Sequence, residues 1–146
     1  MARWEDVVAA DAELAAHVRR CFDIRKHATL ATLRRDGSPR ISGTEVDFNE
    51  DGEIYLGSMS GALKARDLQR DPRLALHCPT EDAPEGDADA WLGDAKIAGL
   101  GVEVPAEDHH KFRIDVTEVV VTRVSGDRLV IKSWHPDRGV ETRERT

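Results

Sequence analysis

Hydrophobic and polar positions change period once, near the start of the chain, and keep the second period almost to its end. In residues 5–22, Val7, Val8, Leu14, Val18 and Cys21 recur at near-helical spacing with alanines between them. Asp6, Asp11 and Glu13 lie early in that run, where acids favour a helix dipole. This predicts one packing helix within residues 1–24. From His27 the period falls to two. Residues 27–33 are rich in β-formers and run into Asp36-Gly37, a hairpin-turn signal. Residues 40–48 alternate Ile41, Gly43, Glu45 and Asp47 against Arg40, Ser42, Thr44, Val46 and Phe48. Asn49-Glu50-Asp51-Gly52 then turns the chain into a third strand, residues 53–57. Three strands joined by two short turns make an antiparallel meander, not a βαβ unit.

The remainder repeats the theme with one interruption. The small-residue loop Ser58-Met59-Ser60-Gly61-Ala62 leads into a short helix over residues 63–70, stopped at Asp71-Pro72. Strands follow at residues 73–78, 96–104, 112–124 and 129–134. Gly99 and Gly101 predict a bulge or a close backbone approach. Residues 79–90 are acidic and contain Pro and Gly, and are expected to form a mobile loop. Residues 135–146 read as a polar, Arg-rich, solvated tail. About seven strands with short turns predict a mainly β chain, a barrel or a sandwich, forming a single domain over residues 1–146. A small barrel fills its interior with side chains, so a ligand belongs at a mouth or between subunits.

Composition narrows the function. The 146 residues suffice for one domain with a real core. Acids outnumber bases 28 to 21, for a net charge of −7. That balance argues against a nucleic-acid partner held by bulk electrostatics. No stretch has the run of apolar residues needed to cross a membrane, and the N-terminus lacks the apolar segment of a signal peptide. Cys21 and Cys78 form no close-spaced motif and are expected to be buried thiols in a cytoplasmic protein. His77-Cys78 and His109-His110 are adjacent pairs, which point to opposite faces of a strand and chelate poorly, so no metal is expected.

The candidate chemistry gathers at residues 55–66. A strand ends with Tyr55, Leu56 and Gly57, the hydroxyls of Ser58 and Ser60 follow, and a helix opens carrying Lys64 and Arg66. Free N–H groups at a helix start, serine hydroxyls and an ammonium make a seat for a phosphate; an ordinary loop with a solvated lysine is the plainer alternative. Arg40, Ser42 and Thr44 share one face of the second strand and could offer hydrogen bonds to a ring edge, while Glu45 and Asp47 point the other way.

The run Leu63-Lys64-Ala65-Arg66-Asp67-Leu68-Gln69-Arg70-Asp71-Pro72-Arg73, preceded by Ile54-Tyr55-Leu56-Gly57-Ser58, resembles the pyridoxamine 5′-phosphate oxidase-like split β-barrel superfamily. Residues 29–39 resemble its opening hairpin, and residues 112–116 through Ser133-Trp134-His135-Pro136 its closing strands. The resemblance covers roughly residues 25–138. It implies a homodimer of six-stranded split barrels with FMN, or alternatively the deazaflavin coenzyme F-420, at the dimer interface. Lys64 matches the lysine that contacts the cofactor phosphate, residues 55–58 the strand end lining the cofactor, and Trp134 a tryptophan near the flavin. The oxidase has Arg where this chain has Leu63, is longer, and carries an Arg/His-bearing substrate signature near its end, where this chain keeps only scattered basic residues after Trp134. The resemblance is therefore closer to small single-domain members. The expected activity is hydride transfer between the cofactor and a small organic substrate. A non-catalytic flavin, deazaflavin or haem carrier of the same fold is the alternative.

Overall fold

The period-two pattern folds as eight antiparallel strands in one sheet. The computed structural model describes all 146 residues, in the order α1 (Trp4–Ala10), α2 (Ala12–Phe22), β1 (His27–Leu33), β2 (Pro39–Phe48), β3 (Ile54–Met59), α3 (Leu63–Arg70), β4 (Arg73–His77), β5 (Asp94–Val104), β6 (His109–Ser125), β7 (Arg128–His135) and β8 (Gly139–Arg145). The sheet order is β3-β2-β1-β4-β5-β6-β7-β8, and β3 pairs a second time, with β6. That pairing closes β1 to β6 into a six-stranded barrel and leaves β7 and β8 as an outer leaf.

One strand serves both parts. Residues 109–113 of β6 pair with β3, residues 119–125 pair with β7, and β5 runs along the other edge. The β5–β6 register shifts between Ala98 and Gly99, so that Thr117 has no partner. Such a bulge bends a strand, and here it falls between the stretch of β6 held by β3 and the stretch held by β7. The close approach predicted at Gly99 is there: a Cβ at this residue would stand 2.2 Å from the Asp115 carbonyl oxygen.

Side chains fill the barrel, among them the fully buried Leu30, Ile54, Leu76, Ile97, Phe112 and Ile114. The N-terminal helices cover the end where β2 finishes, with Trp4 and Phe22 packing edge-on to Phe48 at centroid distances of 4.9 and 5.7 Å. The single helix predicted here is two. Asp11 is extended (φ −159°, ψ 96°) and its carboxylate accepts the Leu14 amide at 3.0 Å, so it caps α2 instead of continuing α1. The tail predicted to be solvated is a strand, paired with β7 from His135↔Gly139 to Leu129↔Arg145. Cys21 and Cys78 are free and buried, as expected. Residues 79–90 hold no strand and end in one turn of 3-10 helix, Ala88–Ala90.

At the opposite end α3 is pinned by a buried carboxylate. Asp67 accepts from Thr32 Oγ1 at 2.8 Å, Arg40 Nε at 2.7 Å and Arg70 Nη2 at 3.1 Å, and its side chain is only 3% exposed. Burial pushes this carboxyl up, but the hydrogen bonds from Arg40, Thr32 and Arg70 outweigh it and hold Asp67 below its ordinary value. A group depressed in the folded state adds stability above its unfolded value and loses that contribution as pH falls through its folded value. Asp67→Ala should lower the free energy of urea unfolding by about 2–3 kcal/mol, since it strands two arginines against the barrel. Asp67→Asn should flatten the acid limb of stability against pH. An acid limb unchanged in Asp67→Asn would show that another group governs it.

Candidate functional site

The first turn of α3 lies beside the outward faces of β2, β3 and the start of β6. Between them is a cleft of about 860 Å³. Of the residues singled out in the sequence, Thr44, Tyr55, Leu56, Gly57, Ser58, Ser60 and Lys64 line it. Its floor is open at two glycines: a Cβ on Gly43 or on Gly57 would meet no heavy atom within 4 Å. Lys64 reaches over the edge and donates from Nζ to the Gly43 carbonyl at 2.9 Å.

The loop before α3 is shaped to leave donors free. Gly61 takes φ +79°, a region closed to most side chains, and the Ala62 amide closes a turn on the Met59 carbonyl at 3.1 Å. No side chain caps α3. The Ala62 carbonyl receives the amides of Ala65 and Arg66, at 3.1 and 3.2 Å, while those of Leu63 and Lys64 have no partner. His110 ties the loop to the barrel. Its Nε2 accepts the Gly61 amide at 3.4 Å and its Nδ1 donates to Glu103 at 2.8 Å. That bond, with one from Gln69, holds the Glu103 carboxyl below its ordinary value.

The rest of the lining is mixed in charge. Lys111 places its ammonium 4.3 Å from the centre of the Tyr55 ring. The Tyr55 phenol donates to Asp51 at 2.7 Å, which raises it above its ordinary value. Three acids, Glu45, Asp47 and Asp108, also line the cleft. Glu45 lies 3.3 Å from the Lys26 ammonium and 3.7 Å from His27, and Asp47 accepts from Asn49 at 3.1 Å.

Three sequence expectations are corrected. Arg40 does not face the cleft; its guanidinium is held by Asp67 at the barrel end. Ser42 shares that inward face of β2 and does not line the cleft. Trp134 is a core residue, 5% exposed, beside a separate opening lined by Met1 and Ala2. Glu45 and Asp47, expected to point away, face the cleft, together with Gly43, His27, Asp108, His109 and Lys111. The signal for the right face was in β2 itself. Val46 and Phe48 share a side with Arg40, Ser42 and Thr44, and two large apolar residues mark the inward side of a barrel strand.

The arrangement supplies an ammonium, two hydroxyls and, at Lys64, a free amide next to a flat floor. It offers no nucleophile paired with a base. It can bind a flat, phosphorylated molecule, but chemistry would have to come from that molecule.

No protein-family model and no curated protein matches the chain. Solved structures do. PhzG from Burkholderia lata, solved with tetrahydrophenazine-1-carboxylic acid, superposes with a TM-score of 0.68 at 12% identity, over 97% of this chain and 92% of that one. A pyridoxamine 5′-phosphate oxidase-related, FMN-binding protein from Nostoc punctiforme gives 0.66 at 12% identity, over 100% and 98%. The chain has the pyridoxamine 5′-phosphate oxidase-like split-barrel fold. A haem-binding protein from Mycobacterium smegmatis also shares this split barrel, with a TM-score of 0.53 at 15% identity over 91% and 86%. Proteins of this one fold thus differ in what they bind, and the ligand has to be argued from the cleft. No helix is long and apolar enough to cross a membrane.

Proposed function

We propose that this split barrel is a flavin-dependent oxidoreductase that binds FMN in the cleft between β2, β3 and α3 and works as a homodimer. The observation that carries the reading is the convergence of Lys64, with its free amide, and of Ser58 and Ser60 beside an open glycine floor. Those groups suit a phosphate, and Gly43 and Gly57 leave room for a flat ring that any larger residue would fill. The acids argue for the same polarity: an anionic end belongs at Lys64, since Glu45 and Asp47 would repel it further along β2. The bound flavin supplies hydride transfer to or from a small organic substrate. The chain's part is to hold the phosphate, keep the ring against β2 and β3, and set charge around it with Tyr55 and Lys111.

The dimer reading rests on the adjoining surface. Ile41, Ala31, Ala75 and Ala98 are successive cross-strand neighbours on the outward face of β2, β1, β4 and β5. Ile41 is 74% exposed, and a row of alanines beside it leaves the sheet flat and apolar. The next row starts at Gly43, which also floors the cleft, so a second copy seated on this face would wall the flavin site.

FMN added to the purified protein should bind with micromolar affinity and perturb the flavin spectrum. Lys64→Ala should weaken binding by about tenfold, the loss of one charge-assisted contact. Coenzyme F-420 and haem are titrated in parallel. Tighter binding of F-420 assigns the deazaflavin, and tighter binding of haem, or flavin binding without turnover with any acceptor, assigns a carrier. Failure of all three to bind defeats the reading.

Gly57→Val should keep or raise the Tm, because its side chain enters open space on a strand, while abolishing FMN binding. A variant that still binds FMN would move the ring elsewhere. Ala75→Arg should convert a dimer to a folded monomer in sedimentation equilibrium; an unchanged mass would place the interface on another face.

A further inference from the structure

A second hollow shares no residue with the flavin cleft. It lies between α2 and the outer leaf, where Val121 of β6, Lys132 of β7 and Thr142 of β8 are neighbours in one row and Arg123 and Val130 in the next. Its volume is about 510 Å³, within the range of small-molecule sites. The floor is apolar: Leu14, Val121 and Val130 are buried. The rim is cationic, with Arg20 and His17 from α2 facing Arg123 and Lys132 from the leaf.

The charges around this hollow do not cancel. Lys132 is paired with Asp11 at 2.6 Å, but neither Arg20 nor Arg123 has a carboxylate or a hydrogen-bond acceptor. His17 donates from Nε2 to the Leu92 carbonyl at 2.6 Å, which leaves Nδ1 without a partner. The acids in reach are Glu13, on the rim, and Glu144, on the same face of β8 but 3.3 Å from Arg128. Arg20 and Arg123, both exposed, thus stand unpaired over an apolar floor in a chain with seven more acids than bases.

We propose that this hollow binds a small organic dianion, an apolar or aromatic body carrying a phosphate monoester or a pair of carboxylates. Arg20 and Arg123 grip the charged head from opposite walls, and Leu14, Val121 and Val130 receive the body. Guanidinium geometry suits both head groups, since each presents paired oxygens to a planar fork of donors. The site is independent of the flavin reading.

The test is an amide NMR titration of the full chain with phenyl phosphate, phthalate, inorganic phosphate and phenol. Phenyl phosphate or phthalate should shift the resonances of Leu14, Arg20, Val121, Arg123 and Val130, and the tighter of the two names the head group. Inorganic phosphate and phenol, each lacking half of the recognition, should bind more weakly by about tenfold or more. Arg20→Ser and Arg123→Ser should each weaken the better ligand by about tenfold with an unchanged Tm, because neither side chain has a partner to lose. Lys64→Ala should leave the affinity unchanged. Absence of binding by either dianion at millimolar concentration would overturn the proposal. So would inorganic phosphate binding as tightly as phenyl phosphate, shifts confined to the β2–β3 cleft, or affinities indifferent to both arginine substitutions.

Discussion

The location of α3 hangs on the Asp67 carboxylate. It gathers Thr32 from the end of β1, Arg40 from the start of β2 and Arg70 from its own helix into one buried knot. Leu68, the next residue, packs beside Gly101 of β5 and brings the helix onto the barrel. With its body fixed, the first turn of α3 has to lie beside β2, and Lys64 reaches the Gly43 carbonyl. The cleft is therefore a consequence of a contact made elsewhere. Asp67 is a rivet, and the arginine expected to offer a hydrogen bond to a ring edge, Arg40, is its counter-ion.

A filled barrel also dictates that function sits outside. Leu30, Ile54, Leu76, Ile97 and Phe112 occupy the interior, leaving no room for a ligand there. What remains is the outer face of the sheet. On β2 and β3 that face carries Gly43 and Gly57, and on β1, β4 and β5 it carries alanines. Small residues on an exposed sheet face lose packing and β-propensity without gaining solubility, so they make most sense where something flat lies on them.

Much of this was legible in the alternation of residues, and the parts that were not share a cause. β1, β2, β4 and β5 begin and end within two residues of their expected bounds, because each buries one face and so writes a period of two. β8 was missed because it buries almost nothing; its residues are intermediate or exposed throughout, and a strand held only by its ladder to β7 leaves no hydrophobic signature. The break at Asp11 was missed because an acid early in a helix and an acid capping one look alike in sequence; only the extended backbone separates them. The cleft was half legible. Residues 55–64 sit where the motif put them, since strand end, loop and helix start are consecutive. On β2, polarity is a poor guide to the cleft, for Arg40 and Ser42 are polar residues on an inward face, and of that face only Thr44 lines the cleft. Asp108, His109 and Lys111 come from a segment about fifty residues on, joined to β3 only by the closure of the barrel.

Both hollows trace back to β6. Near its start it closes the barrel against β3 and contributes His109 and Lys111 to the cleft. Past the unpaired Thr117 it stays paired with β5 on one edge and takes β7 on the other, so its far end becomes the inner strand of the leaf. The barrel needs only six strands, and a strand of 17 residues is longer than closure requires. The excess supports β7 and β8, whose inner face α2 covers incompletely. Asp11 fixes that geometry from the helix side, capping α2 through the Leu14 amide while its other oxygen holds Lys132 of the leaf. One bulge thus divides the chain's longest strand into a segment that completes the β2–β3 cleft and a segment that lines the second hollow. The two can be changed separately in sequence, because no residue lines both.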